Sequence, residues 1–277
     1  MGKQYLIADD GVRIPVHVEG SGPPLVALPG WTGSWQDWGP AAEGLRERFT
    51  CYAWHARPYH ADNGDIGRMA MDLHNLLAQF ELEKPVLLGH SMGAVNAWEY
   101  IRRYGDGAFS KLALIDMSPK LLVGDDWSMG LWGRFTAEEN ARFIQACRED
   151  FAEAVIDLIA HSRVALQGSG PGIPKDILLA RRRRLEKLAG ERWITAWQSF
   201  VGEDYRPVLP RITIPTFCAF GAKSAYYGPA VAEYVAGQIP HSHLVIYPEA
   251  GHGPHVEAAE QFLADLDAFL ATTGSAA

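Results

Sequence analysis

The residues best suited to covalent chemistry follow an apolar run, in the stretch Val86-Leu-Leu-Gly-His-Ser-Met-Gly93. Gly89 and Gly93 flank Ser91 in the spacing Gly-x-Ser-x-Gly, and a helix-period segment begins near Ala94. A serine on a sharp strand-to-helix turn has a strained backbone that requires small neighbours, and the turn pushes its hydroxyl out above the sheet. The pattern therefore predicts Ser91 as a nucleophile. The same turn aims the amide of Met92 at the place where an oxyanion would form.

A serine hydroxyl is a poor nucleophile until a base takes its proton, so a histidine must come within hydrogen-bond reach. The chain has 10 histidines. His252 lies just after the last predicted strand, in Tyr247-Pro-Glu-Ala-Gly-His252, where a loop at the carboxyl end of the sheet can reach the serine. His255 is three residues further on and is the alternative base.

Short apolar and β-branched runs alternate with longer helix-period segments, which is typical of a mainly parallel sheet covered by helices. The predicted strands are Tyr5–Ala8, Ile14–Glu19, Leu25–Leu28, Thr50–Trp54, Pro85–Leu88, Leu112–Ile115, Thr216–Phe220 and Leu244–Tyr247. The predicted crossover helices are Trp35–Phe49, Gly67–Phe80, Ala94–Tyr104, Pro229–Ile239 and Ala259–Leu270. The carboxyl ends of the parallel strands place Ser91 and His252 at one edge of the sheet.

One long segment breaks this alternation and contains only helix-like stretches, Ala137–Ile159 and Leu178–Phe200. A Gly/Pro-rich stretch between them, Gln167–Pro174, is a loop by composition. We therefore predict a helical cap inserted into the sheet domain after the sixth strand. The predicted division is 1–118 and 206–277 for the core and 119–205 for the cap.

A basic run, Arg181 to Arg184, lies in the second helix-like stretch. Leu178, Leu185 and Leu188 recur there at helical spacing. This spacing predicts that the leucines face the protein and that most of the arginines face water.

Three stretches together resemble the α/β-hydrolase family: the Gly-x-Ser-x-Gly turn, Leu28-Pro-Gly-Trp31 after the third strand, and Gly251-His252 after the last strand. The resemblance covers nearly the whole chain except the cap. It implies an α/β fold with a mostly parallel eight-stranded sheet and helices on both faces. It also implies an oxyanion hole formed by the backbone N–H groups of Trp31 and Met92. The family pattern Ala-Gly-His, followed by an acid at the position of Glu257, selects His252 over His255.

The sequence departs from this family at the third member of the triad. Ser224 stands after the seventh predicted strand, where the family usually has Asp. Some members of the fold carry the acid after the sixth strand instead, and Asp116 occupies that place here. Because the position after the seventh strand holds no carboxylate, Asp116 is favoured as the residue that orients the base. An Asp after the sixth strand also caps the following turn in relatives, which is the alternative role. Asp204 and Glu249 are further candidates.

Aromatic residues are abundant, with 9 Trp and 10 Tyr. We predict that Trp35, Trp127, Trp132 and His90 line the substrate pocket, because ligands bind over the carboxyl edge of the sheet in open α/β folds. An aromatic lining suits a small hydrophobic or aromatic acyl compound. We therefore expect a serine hydrolase that cleaves an ester, thioester or lactone through an acyl-enzyme.

Composition excludes several other classes. The net charge of −8 and the pI near 5.7 argue against a nucleic-acid partner. The sequence contains no run of about 18 apolar residues, so it predicts no membrane-spanning helix, and no secretory leader is expected from the N-terminal residues. The 3 cysteines are far apart and suit neither disulfides nor zinc, which favours a reducing cytoplasm. We expect a small-molecule substrate and neither a cofactor nor a metal; the oligomeric state is not predicted.

Two alternatives to a hydrolase remain at this point. Some relatives with the acid after the sixth strand are cofactor-free dioxygenases, in which the His–Asp pair removes a substrate proton and the serine is not acylated. The second alternative is a ligand-binding receptor that keeps the hydrolase fold and turns over slowly.

Overall fold

A computed structural model of the chain describes residues 3–167 and 175–272. Within these ranges eight strands form one sheet in the order β1-β2-β4-β3-β5-β6-β7-β8. The strands are β1 Lys3–Ile7, β2 Arg13–Gly20, β3 Pro24–Leu28, β4 Thr50–Trp54, β5 Val86–His90, β6 Lys111–Ile115, β7 Thr216–Gly221 and β8 Ser242–Tyr247. Strand β2 is antiparallel to both of its neighbours, and β3 to β8 run parallel. All eight predicted strands are present, with bounds that shift by at most two residues.

Helices cover both faces of this sheet because successive side chains of a buried strand point to opposite sides. Leu87 packs toward the face of α2, α3 and α8, whereas its neighbour Leu88 packs toward α1 and α10. The helices are α1 Gly39–Leu45, α2 Ile66–Gln79, α3 Met92–Tyr104, α4 Ala137–Glu149, α5 Phe151–Gln167, α6 Lys175–Leu185, α7 Gly190–Val201, α8 Pro229–Gln238, α9 Pro254–Glu257 and α10 Ala259–Ala271. The predicted α/β-hydrolase fold class is confirmed.

Helices α4 to α7 follow β6 and precede β7, at the place predicted for the cap. The first predicted cap helix, Ala137–Ile159, is wrong in one respect, since it divides into α4 and α5. Asp150 between them has an extended backbone, with φ −148° and ψ 98°. Its carboxylate accepts a hydrogen bond from the Glu153 amide at 2.9 Å and so caps α5. An Asp three residues before a Glu was the sequence signal for this break.

The second predicted cap helix, Leu178–Phe200, also divides, into α6 and α7. Ala189 before α7 has an extended ψ of 92°, and Gly190 opens the new helix. The predicted Gly/Pro-rich loop lies, apart from Gln167, outside the described residues.

A buried ion pair ties the loop after β4 to α2. The guanidinium of Arg57 donates to both carboxylate oxygens of Asp72 at 2.6 Å, and both side chains are fully buried. Arg57 also donates to Asp10, in the turn between β1 and β2, at 2.7 Å. One side chain therefore fixes three segments at one end of the sheet.

The three cysteines are free and buried: Cys51 in β4, Cys147 in α4 and Cys218 in β7. Burial raises the pKa of each thiol to about 12. In the described part of the chain, no helix combines the length and the apolar character that crossing a bilayer requires.

Candidate active site

The nucleophile turn between β5 and α3 is built as its glycine spacing requires. Ser91 has φ 53° and ψ −119°, a conformation that L-residues rarely adopt and that stores strain. A Cβ on Gly89 would lie 2.6 Å from the Gly93 carbonyl oxygen, and one on Gly93 would lie 2.2 Å from the Leu28 carbonyl oxygen. Both positions therefore accept only glycine without a backbone shift.

Two backbone amides lie beside this serine. Met92 is the first residue of α3, and the amides of a helix's first turn have no partner within the helix. The loop after β3 passes close to the serine, since a Cβ on Gly30 would lie 3.3 Å from the Cβ of Ser91. Trp31 follows in this loop and lines the same cavity as Ser91. These positions are compatible with the oxyanion hole expected from the sequence.

His252 faces Asp116. The Nδ1 atom of His252 lies 3.5 Å from Oδ2 of Asp116, which is completely buried in the turn after β6. A separation of this size is longer than a formed hydrogen bond. Among the described residues, no amide of the turn after Asp116 hydrogen-bonds to its carboxylate, so the capping role weighed from the sequence gains no support.

Burial sets the charge state of this pair. It raises the pKa of Asp116 well above its usual value, although the Ser224 hydroxyl and the Gly221 backbone oppose the rise. Burial lowers the pKa of His252 to about 3. The neutral imidazole, which is the form that can accept a proton, is thus favoured at neutral pH.

Neighbouring groups hold the loop that carries His252. The Glu257 carboxylate accepts from the amides of Gly251 at 2.9 Å and Gly253 at 3.1 Å, on either side of the histidine. His90 Nε2 lies 2.9 Å from the His252 carbonyl oxygen and must donate to it. These contacts fix the backbone on both sides of the proposed base.

His255, the alternative base, lies deeper. It is 2% exposed, and its ring packs between Trp38 at 4.7 Å and His90 at 4.5 Å. The structure places Asp116 against His252 and not against His255. Within the described residues, no group of three or more His, Cys, Asp or Glu side chains is arranged to hold a metal ion.

A cavity of about 430 Å³ lies over the carboxyl edge of the sheet, within the usual size range of small-ligand sites. Ser91, His252 and His90 lie in its wall. The apolar part of the wall includes Leu121, Leu131, Val155, Leu158, Trp197 and Phe200. The indole N–H of Trp31 donates to the carbonyl oxygen of Trp193 in α7 at 2.9 Å, so the core loop and the cap are directly bonded.

Three predicted pocket residues are wrong, because each tryptophan packs elsewhere. Trp35 stacks on His17 of β2 with ring centroids 4.1 Å apart. Trp127 is buried and donates to the Lys120 carbonyl oxygen at 2.9 Å. Trp132 packs edge-on against Phe135. None of the three tryptophans lies in the described cavity wall.

The two reserve acids also lie outside this wall. Asp204 is paired with Arg206, and Glu249 is paired with Lys223. Neither carboxylate is placed to orient His252, which leaves Asp116 as the carboxylate that the structure sets beside it.

The basic run faces water as predicted, since Arg181 and Arg183 are exposed and the Arg184 side chain is 39% exposed, but Arg181 and Arg184 also lie in the cavity wall. Both residues share a helical face with Leu185, which is 2% exposed. The signal was present in the spacing, because residues i, i+3 and i+4 of a helix lie on one side. The same rule that places the leucines on this side therefore also places Arg181 and Arg184 beside the cavity.

Comparisons with known proteins identify the family of the chain. Residues 23–259 match the family model described as alpha/beta hydrolase fold. The chain is 26% identical to a pimeloyl-[acyl-carrier protein] methyl ester esterase of Aliivibrio salmonicida (strain LFI1238), covering 92% of this chain and 94% of the relative. It is 25% identical to a non-heme haloperoxidase of Rhodococcus erythropolis, covering 96% and 98% respectively.

Among solved structures, an esterase from Exiguobacterium antarcticum superposes with a TM-score of 0.86 at 25% identity, covering 98% of this chain and 100% of that chain. The family match extends over far more than half of the residues and includes the nucleophile turn and the His252 loop. The chain therefore belongs to the alpha/beta hydrolase fold family.

Proposed function

We propose that this chain, a hydrolase of the α/β-hydrolase family, cleaves an ester, thioester or lactone of a small hydrophobic or aromatic substrate through an acyl-enzyme on Ser91. The observation that carries the proposal is the strained serine at the wall of a largely apolar cavity, in the same wall as a histidine whose Nδ1 faces a buried carboxylate. These three side chains support the proposed roles of nucleophile, base and orienting acid.

The proposed reaction begins when His252 takes the Ser91 proton and the serine oxygen attacks the substrate carbonyl carbon. Asp116 holds Nδ1–H of the imidazole and stabilises the positive charge that forms on the ring. The amides of Trp31 and Met92 donate to the oxyanion. When the tetrahedral intermediate collapses, His252 passes the proton to the leaving group. Water, deprotonated by His252, then attacks the acyl-enzyme and releases the acid from Ser91.

The comparisons favour an ester over the other two substrate classes. The Aliivibrio relative is named a methyl ester esterase, and the Exiguobacterium protein is named an esterase. These names describe those proteins, and at 25–26% identity they support the reaction type for this chain and not a particular substrate.

The test is intact-mass measurement after incubation with a fluorophosphonate. Wild-type protein should gain one adduct, and Ser91→Ala should gain none. The control Ser110→Ala should gain one adduct, because Ser110 is an exposed serine outside the cavity wall. An adduct that persists in Ser91→Ala would place the reactive serine elsewhere. No adduct on folded wild type would refute the acyl-enzyme and favour proton abstraction by the His252–Asp116 pair, or ligand binding.

A further inference from the structure

Positive charge is in excess at the cavity. Arg181, Arg184 and Lys223 lie in its wall, against two carboxylates, Asp37 and Glu257. Glu257 is already held by two backbone amides. Asp37 lies 3.8 Å from Arg184 and also accepts from a backbone amide. The wall therefore offers a substrate more positive than negative charge.

Arg181 stands out among these cations. Lys223 pairs with Glu249 outside the wall, and Arg184 faces Asp37. Among the residues that the structure describes, no carboxylate lies within ion-pairing distance of Arg181, whereas the next residue, Arg182, contacts three. An arginine in a cavity wall without a counter-charge is free to bind an anion.

The position of Arg181 connects it to the reaction centre. Burial is the main cause of the lowered pKa of His252 and of His90, and the Arg181 charge lowers both further, so its field reaches the side of the cavity that holds the proposed base. Its planar guanidinium can bind a carboxylate through two parallel hydrogen bonds. The other walls are mainly apolar and suit an uncharged part of the same molecule.

We infer that Arg181, with Arg184 beside it, binds a carboxylate of the substrate, so that the preferred ester is a monoanion with an apolar body. This inference rests on the proposed function and narrows its substrate class. The carboxylate can belong to the acid or to the alcohol part of the ester, and the two sources are separated by experiment.

Two substrate pairs test the inference. Mono-p-nitrophenyl adipate and p-nitrophenyl hexanoate differ by a carboxylate on the acid part; p-carboxyphenyl hexanoate and phenyl hexanoate differ by one on the alcohol part. For each pair the ratio of kcat/KM, charged over neutral, is measured in wild type, Arg181→Gln and Arg183→Gln. Arg183 is a matched control, because it is exposed on the same helix and outside the cavity wall.

We expect Arg181→Gln to lower this ratio about five- to tenfold for one pair, because the variant loses a partly exposed charge-assisted contact with the substrate. Arg183→Gln should leave the ratio unchanged. The pair that responds identifies the part of the ester that carries the carboxylate. Added salt should lower the ratio in wild type and have little effect in Arg181→Gln. An equal ratio in all three proteins for both pairs would overturn the inference.

A failure of the proposed function has a different signature, in which wild type hydrolyses no member of either pair. The anion site is then measured without catalysis, by calorimetric binding of monomethyl adipate to Ser91→Ala and to Ser91→Ala with Arg181→Gln. Weaker binding to the double variant supports the anion site, and equal binding to both proteins refutes it.

Discussion

Asp116 and Ser224 lie together at the carboxyl end of the sheet, where the first supplies a carboxylate and the second a hydroxyl. The Ser224 hydroxyl opposes the effect of burial on the Asp116 pKa and so favours the ionised acid. Ser224 occupies the position after β7 where the family usually has the acid. In the proposed triad the carboxylate therefore comes from the turn after β6, where its Oδ2 lies 3.5 Å from Nδ1 of His252.

Asp116→Asn should preserve the fold and lower kcat by about three to four orders of magnitude, because the imidazole loses the acceptor that fixes its tautomer. Adding Ser224→Asp returns a carboxylate to the usual family position. The kcat of the double variant should therefore be more than about tenfold higher than that of Asp116→Asn. Steady-state hydrolysis of p-nitrophenyl hexanoate measures both effects. A loss below tenfold in the single variant would assign the orienting role elsewhere.

The pH profile should reflect the burial of His252. Asp116, Glu257, Arg181 and His90 surround it, and burial is the largest cause of its lowered pKa. A base acts when neutral, so activity is lost as pH falls through that pKa. The acid limb of kcat/KM should therefore lie at least about one pH unit below the ordinary histidine pKa. A limb at or above that value would show that the base is not buried as described.

Arg181→Gln should move the same limb to higher pH, because the arginine charge lowers the pKa of His252. The profile is measured with the neutral ester, so that substrate charge plays no part. A limb that does not move would mean that the Arg181 field is screened from the imidazole.

The positions of the proposed catalytic residues were predictable from sequence because each lies in a short motif next to a strand end. Ser91 has its glycines, and His252 follows the last strand. The cavity wall was not predictable in the same way. Whether Trp35 or Trp197 faces the cavity depends on how the cap packs on the core, and local spacing does not record that contact.

At the scale of elements, the turn between β5 and α3 depends on close approach of backbone to backbone. Gly93→Ala should lower the free energy of unfolding by about 2 kcal/mol or more and reduce activity, although Ala favours a helix, because its Cβ would meet a carbonyl oxygen of β3. Gly107→Ala is the control, since nothing lies within 4 Å of its Cβ position. Chemical denaturation of both variants measures the difference; equal stability would mean that the turn can relax.

The buried pair formed by Arg57 and Asp72 joins the loop after β4 to α2. Arg57→Ala removes both short contacts of the buried Asp72 carboxylate and leaves only Arg68, whose Nη2 lies 3.3 Å from Oδ1, which should cost about 3 kcal/mol. The exposed pair of Arg142 and Glu138 provides a control, because Arg142→Ala should cost less than about 0.5 kcal/mol. Urea denaturation compares the two variants. Similar losses would mean that water enters and solvates Asp72.

Strands were predicted more accurately than cap helices for a physical reason. A buried strand between helices gives a short apolar run with turn residues at both ends, and Thr50–Trp54 was predicted to the residue. The cap helices have continuous helical periodicity across their breaks. Asp150 interrupts the first of them through a backbone angle and a capping hydrogen bond that the apolar pattern does not contain.

At the scale of the whole molecule, the cap and the core share one hydrophobic cluster. Trp193 and Trp197 of α7 belong to the same buried set as Val95 and Leu114 of the core. The bond from Trp31 to the Trp193 carbonyl oxygen adds a polar contact beside the proposed oxyanion hole. That the core and the cap open independently of each other therefore stays a prediction.

The three buried cysteines turn that prediction into a labelling experiment. Cys147 samples the cap, whereas Cys51 and Cys218 sample the sheet, so alkylation of each thiol reports the opening of its own region. Under native conditions we expect Cys147 to be alkylated first, as followed by peptide mass. Equal rates for all three thiols would mean that cap and core open as one cooperative unit. The native thiols therefore report partial unfolding of the two regions separately, without an engineered label.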